Sequence, residues 1–348
     1  MKKRLLTFIK YFIFLGLGIF LVWWQFHKMT PDQFIQFKFA LKNANYHIIP
    51  VIIFMALASH FSRAIRWRIL IEPLGFKPGT FNIFGTTMVG YLANSFFPRL
   101  GEVLKCTLLG KYESIPPQKL IGTIVVERIF DLICYVVFII ITVLIQFAVV
   151  GDFAKQKLAD LTSGGHGLPL WGKLLIYALV ILSIIYFLRF IYRRYGESKT
   201  VQKIKLFTSG LKEGLATVKR LKNRGWFVFH TFFIWSMYLG QIYIGFSAMK
   251  EVSHLGWDAA CGILTLATLA MIVAPNGLGT FPQAVLLVLG LYNIDETYGK
   301  AFGWLMWATT TFIILFFGAL CLILLIYINK KSKIAVNQQN TLEDLHPS

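Results

Sequence analysis

Residues 120–150 read LIGTIVVERIFDLICYVVFIIITVLIQFAVV. From Leu132 onward the run is long enough to cross a hydrocarbon core, which takes about 20 apolar residues at a rise of ~1.5 Å each. Glu127, Arg128 and Asp131 interrupt it, yet Leu120 to Val126 carries the apolar pattern on past them. A charge at the bilayer centre costs ~2.5–3.5 kcal/mol on insertion scales, so these residues must pair, reach water or lie outside the hydrocarbon. On a helix Glu127 neighbours Asp131, and Arg128 does so as well. The alternative is that Leu132 to Val150 spans alone and the charges end a helix at the interface.

The rest of the chain agrees with a membrane setting. Of 348 residues 56% are hydrophobic and 15% charged, with a mean hydropathy of +0.64, more apolar surface than one soluble core can use. Apolar stretches at 5–26, 47–62, 132–150, 171–191, 226–249 and 301–328 predict six full spans. Stretches 81–97 with 100–112, and 258–274 with 282–292, are shorter and broken, and predict two hairpins that either re-enter one face or cross as thin spans. The fold class is therefore all-α, a polytopic bundle occupying residues 1–330, followed by a polar tail, 331–348, of disordered composition. Each hairpin precedes a long helix, which hints at an inverted repeat of the kind found in transporters.

Lys and Arg number 35 against 16 Asp and Glu, a net charge of +19. These basic residues flank the apolar spans, which favours an anionic membrane face over nucleic acid. Lys2, Lys3 and Arg4, the 63–68 turn, the 189–224 connection and Lys330, Lys331 and Lys333 all read as cytoplasmic. Both termini are then inside, in a bacterial-type inner membrane. Within the connection, Ile204, Phe207, Leu211, Leu215, Val218 and Leu221 recur at helical spacing among lysines, so 199–224 predicts an amphipathic helix on anionic inner-leaflet lipid. Arg63, Arg66, Trp67 and Arg68 look like an interfacial anchor. The first apolar run is too long, and lacks the small residues, for a cleaved signal. Four scattered cysteines and seven scattered histidines show no metal-ligand spacing, and no cofactor is expected.

Polar residues at membrane level fall into three groups. In Asn94-Ser95-Phe96-Phe97-Pro98-Arg99-Leu100-Gly101-Glu102-Val103-Leu104-Lys105, Pro98 breaks one helix and lets another begin near Leu100. A helix start beside Arg99 suits a phosphate, with Glu102 orienting Arg99 or meeting a cationic headgroup. The second group is Glu127, Arg128 and Asp131. Left unpaired, the six charges of these two groups would cost on the order of 15 kcal/mol. Both groups are predicted at one cytoplasmic depth, where they would share a polar cavity. The third group is Pro275-Asn276-Gly277-Leu278-Gly279-Thr280-Phe281-Pro282-Gln283, a turn signal with Pro282 suited to the first position of a new helix.

Taken with Arg66-Trp67, these motifs resemble the membrane domain of lysylphosphatidylglycerol synthases and the related flippase-like membrane proteins, over roughly residues 5–330. The resemblance implies movement of aminoacylated or other phospholipids between leaflets. The family's aminoacyl-transfer step belongs to a separate soluble domain that is expected to be absent here, so no enzyme activity is expected. Two departures stand out: Gln283 follows Pro282 where the family has an acidic residue, and Lys105 stands where arginine is common.

The expected function is an ATP-independent lipid translocase. Its partner is a phospholipid or polyprenyl-phosphate, and a homodimer is compatible with the reading. Asn94, Arg99, Lys105 and Arg128 would hold phosphate, and Glu102, Glu127 and Asp131 would balance charge. Pro98 and Gly101, and the turn Pro275, Asn276, Gly277, Gly279 and Pro282, would form the turns and gates. The alternatives are a membrane transferase acting on a lipid-linked substrate, for which no paired acidic metal motif is visible, and a carrier using Glu127 and Asp131 as proton sites.

Overall fold

The computed structural model describes residues 2–97, 99–161 and 221–345, with side chains described over 15–97, 99–146 and 221–330. Ten α-helices and no strand occur among them: α1 Lys2–His27, α2 Pro31–Lys42, α3 Ile49–Ile71, α4 Thr80–Phe96, α5 Leu100–Glu113, α6 Pro117–Leu161, α7 Arg224–Gly245, α8 Trp257–Val273, α9 Thr280–Leu291 and α10 Glu296–Leu345. The predicted span 171–191 and all but the end of the predicted amphipathic helix 199–224 lie outside the described residues. The helical backbone of α10 runs on into the polar stretch after Asn329. The chain forms two compact units, residues 1–146 with 221–348, and residues 147–220; the described residues of the second, 147–161, are helical.

Among the described residues four segments are long and apolar enough to cross a membrane: Tyr46–Leu74, Pro117–Gln146, Arg224–Ala248 and Glu296–Lys330. Their outward faces are apolar, as with Leu144 on α6 at 71% exposure and Phe232 on α7 at 74%, which is the surface that lipid rather than water covers. Helix α2 was not expected. Its signal is local: Thr30 caps it by accepting from the Gln33 amide at 3.2 Å, and the Gln33 side chain accepts from the Thr30 amide at 3.0 Å, with Pro31 at the first turn.

The two broken pairs are hairpins, each closed at its base. At the first, the Gly79 amide and the Asn82 side chain donate to Glu113 Oε1 at 2.9 and 2.7 Å, so α4 begins where α5 ends. At the second, Gln146 Nε2 donates to the Asp258 carbonyl at 3.0 Å and to the Tyr292 hydroxyl at 2.8 Å, gathering the start of α8, the end of α9 and the far part of α6. Helix α6 starts just after the first base and reaches the second at Gln146. The 30 residues Pro117–Gln146 measure about 45 Å, so the bases lie on opposite faces.

Helices α4 and α8 have 17 residues each, about 25 Å, so each hairpin reaches about half the separation of the bases. Helix α4 touches the 3-10 turn Pro275–Gly277 that ends α8; the tips therefore meet midway. Both hairpins are re-entrant, from opposite sides. A spanning helix, a re-entrant hairpin and a long helix occur in that order twice, as α3 to α6 and as α7 to α10, which makes the two halves an inverted pair.

Local chemistry explains the tips. Phe97, ahead of Pro98, is extended (φ −131°, ψ 110°), as the residue before proline prefers. Arg99 then turns left-handed at φ 69° and α5 begins at Leu100. Gly101 faces Gly90 of α4 so closely that a Cβ there would collide with the Gly90 carbonyl and the Asn94 side chain, while its amide donates to Asn94 Oδ1 at 2.8 Å. At the second tip, Asn276, Gly277 and Gly279 all have positive φ. Helix α9 starts at Thr280, which places Pro282 third in the helix rather than first; its missing amide hydrogen is among those that have no intrahelical partner in any case.

Gly101→Val should lower stability by about 1–3 kcal/mol by prising α4 from α5. Gly122→Ala, where a Cβ meets nothing within 4 Å, should cost nothing; thermal unfolding in detergent compares the two. Single cysteines at Lys77→Cys and Asn293→Cys should react with an impermeant maleimide from opposite sides of a sealed vesicle. Labelling from the same side would contradict the opposed hairpins.

Candidate functional site

Helix α3 does not end at residue 62 but continues to Ile71, which carries Arg63 and Arg66 inward. Arg63 is 7% exposed and Arg66 is fully buried, so neither is the interfacial anchor that the sequence suggested. Both face α6. Arg63 Nη1 pairs with Asp131 Oδ2 at 2.5 Å and Glu127 Oε1 at 3.2 Å. Arg66 Nη2 pairs with Asp131 Oδ1 at 2.6 Å and Glu127 Oε1 at 3.5 Å. Glu127, 1% exposed, receives a third cation from α5, with Lys105 Nζ at 3.1 Å from Oε2.

Other side chains complete the shell. Arg63 Nη2 donates to the Tyr238 hydroxyl at 3.3 Å and Arg66 Nη1 to Thr231 Oγ1 at 3.2 Å, tying α3 to α7. Lys105 Nζ lies 4.3 Å from the Trp67 ring centroid and the Arg66 guanidinium 5.7 Å from that of Phe227, contacts that favour a desolvated cation. Trp67 in turn donates to Thr123 Oγ1 at 2.8 Å, which fixes its ring on α6.

Three cations, Arg63, Arg66 and Lys105, thus share two carboxylates, Glu127 and Asp131, so the buried cluster carries a formal charge of +1 although each cation has an acidic partner. The outer edge is neutral: Arg128 Nη2 pairs with Glu102 Oε1 at 2.7 Å, with side chains 47% and 26% exposed. The first two predicted polar groups therefore meet, through Lys105 with Glu127 and Glu102 with Arg128. The charges do not end a helix, since α6 is continuous from Pro117.

The remaining predicted residues are placed as follows. Arg99 is exposed at the start of α5, and no ion pair or hydrogen bond holds its side chain among the described residues. Asn94 caps the first turn through Gly101, and Pro98 lies outside the described residues. At the second turn Gln25 Nε2 donates to the Gly279 carbonyl at 2.9 Å, Trp307 Nε1 to the Asn276 carbonyl at 2.9 Å, and Asn276 Nδ2 to Thr311 Oγ1 at 2.8 Å. That turn is held by α1 and α10 and is joined to the charged cluster by no hydrogen bond or ion pair among the described residues. Sequence reading missed Arg63 and Arg66 as cluster members. Their three-residue spacing, one face of a helix that simply runs longer, was the available signal. Among the described residues no three His, Cys, Asp or Glu side chains gather as metal ligands would.

Opposed re-entrant hairpins and a buried ion cluster in an all-helical bundle define a polytopic integral membrane protein with an internal polar site. The pattern of the lysylphosphatidylglycerol synthase TM region matches residues 8–331, and the chain belongs to that family. It is similar to two UPF0104 membrane proteins of Methanocaldococcus jannaschii. It is 27% identical to MJ1595 over 68% of this chain and 72% of that protein, and 28% identical to MJ1078 over 65% of this chain and 91% of that protein. No solved structure matches.

Removing one member of a buried ion cluster typically costs about 3–5 kcal/mol because its partners stay buried and unpaired. Glu127→Leu should lower the unfolding midpoint accordingly, and adding Lys105→Met should restore part of the loss. A double-mutant cycle by thermal unfolding in detergent checks this; strictly additive losses would mean that the 3.1 Å contact is not coupled.

Proposed function

We propose that the protein is a secondary lipid translocase that takes the phosphate of a phospholipid or polyprenyl-phosphate headgroup into the polar site beside α5 and α6, while the acyl chains stay in lipid. The observation that carries this reading is the net positive charge of the cluster, in which Arg63, Arg66 and Lys105 are buried against two carboxylates. A buried excess cation is costly unless an anion joins it, and phosphate is the anion that every such lipid brings.

Arg99 and Arg128 stand at the exposed edge, where a headgroup arrives first. The start of α5 adds the positive end of its dipole, while its Leu100 and Gly101 amides are spent on the Phe97 carbonyl and Asn94 Oδ1. The Arg128–Glu102 pair is partly solvated, and pairs of that kind are worth only ~0–1 kcal/mol, so a phosphate can replace Glu102 at little cost. Asn94 and Gly101 keep the first tip tight, and Pro275, Asn276, Gly277, Gly279 and Pro282 form the opposing tip, which serves as the gate on the other side. By the distribution of Lys and Arg, the first hairpin and both termini face the cytoplasm of a bacterial-type inner membrane.

Vesicles holding the purified protein and fluorescent phosphatidylglycerol, phosphatidylcholine or a polyprenyl-phosphate, with a quencher added outside, test this. At least one lipid should cross faster than in protein-free vesicles. Arg99→Ala and Arg128→Ala should each slow that crossing roughly tenfold, as loss of a charge-assisted bond of ~1.5–3 kcal/mol implies. Crossing no faster than in empty vesicles, or unchanged in both variants, would sink the proposal.

A further inference from the structure

One turn before Arg63 on α3, toward the meeting point of the tips, stands His60, 9% exposed. Its ring packs on that of Tyr91 from α4 at 4.8 Å between centroids, tilted by 46°. His60 and Arg63, three apart on a helix, share a face, and the Arg63 guanidinium acts electrostatically on both rings. Three polar atoms in this place are buried with no hydrogen-bond partner: His60 Nδ1, the Tyr91 hydroxyl and Arg63 Nε. The Arg63 guanidinium spends its terminal nitrogens on Glu127, Asp131 and Tyr238 and keeps Nε unspent.

Buried polar groups are nearly always satisfied, so several orphans in one place ask for a ligand. With the imidazole proton on Nδ1, all are donors. A single water offers two lone pairs, too few for three donors, and brings no charge to offset the cluster's net positive charge. A tetrahedral oxyanion brings both. We propose that His60, Tyr91 and the Nε group of Arg63 form a phosphate subsite on the inward side of the charged cluster, deeper than Arg99 and Arg128. This rests on the translocase reading and deepens it, because it supplies a second station for the same phosphate on the way to the tips. Glu127 and Asp131 hold the guanidinium groups in position through their terminal nitrogens, which leaves the Arg63 Nε for the anion.

The Tyr91 hydroxyl gives an unusual signature. Without ligand it is a buried group lacking a partner, so removing it relieves a desolvation penalty. Tyr91→Phe should leave the ligand-free unfolding midpoint unchanged or raise it, and should weaken lipid binding about tenfold. His60→Phe should weaken binding similarly and serves as the second variant.

Native mass spectrometry of the detergent-solubilised full chain measures retention of phosphatidylglycerol against dioleoylglycerol, which has the same chains and no phosphate. A parallel thermal-shift arm uses inorganic phosphate alone. Selective retention of phosphatidylglycerol, lost in Tyr91→Phe, supports a lipid headgroup as the source. A phosphate-induced shift lost in the same variant supports the subsite with free phosphate as its source. The inference is overturned if the wild-type chain responds to neither probe, if both variants bind as wild type does, or if Tyr91→Phe lowers the ligand-free midpoint. Wild-type protein that binds at Tyr91 but moves no lipid in vesicles would remove the translocase reading and leave the subsite. Wild-type and Tyr91→Phe proteins that bind and move lipid alike would do the reverse.

Discussion

Glu127 is a carboxylate at 1% exposure in a helix that runs apolar for several turns beyond Asp131. An isolated ion in that setting would cost several kcal/mol even after relaxation, so cations must reach it from other elements. They come from two: Arg63 and Arg66 from α3, and Lys105 from α5. Each imposes a geometric condition. Helix α3 must run on past residue 62 to present both arginines on one face, and α5 must lie against α6 at the level of Glu127. The latter is met only if the chain turns back between α4 and α5, halfway along the bundle. The re-entrant hairpin and the ion cluster are thus one feature, since the tip sets the depth of Lys105 and the cluster anchors α5.

The second half reaches the same shape by different chemistry. Its hairpin is also 17 residues deep, but its tip is held by neutral bonds: Gln25 donates to Gly279, Trp307 donates to Asn276, and Asn276 donates to Thr311. At membrane depth such bonds are required, because irregular backbone is tolerated only where protein or water satisfies it. The halves therefore share a topology of opposite sense and little sequence. Packing length and tip position are what the architecture constrains, and both ionic and neutral networks fulfil them.

This division also explains what was legible in the sequence. Helical class, the long spans among the described residues and the position of both breaks follow from hydrophobic run length and from Pro98, Pro275 and the Asn-Gly turn, all local signals. Whether the hairpins re-enter depends on where their bases sit, a matter of Glu113 meeting Gly79 and Gln146 meeting Asp258 and Tyr292, contacts between residues far apart in sequence. The carboxylates of the cluster were visible as charges in an apolar run. Two of their three cations were not, because basic residues near the end of a span have the same pattern whether they face an interface or a buried acid. Only the continuation of α3 to Ile71 separates the two cases, and nothing in Arg63 to Arg68 marks that continuation.

The contrast between the tips bears on which half answers to a ligand. Neutral bonds such as Trp307 to the Asn276 carbonyl have no reason to exchange partners with a phosphate, for the donor is already matched and uncharged. The first half is different: its cations outnumber its carboxylates, one of its pairs is partly solvated, and several of its buried donors are unspent. An anion entering there competes directly for Arg128 and Lys105, the two side chains through which α5 is tied to α6. A ligand shifts a conformational equilibrium only through differential affinity for its states. Of the two hairpins, only the first has contacts that an anion can both satisfy and replace, so an anionic headgroup would act on the bundle by way of α5.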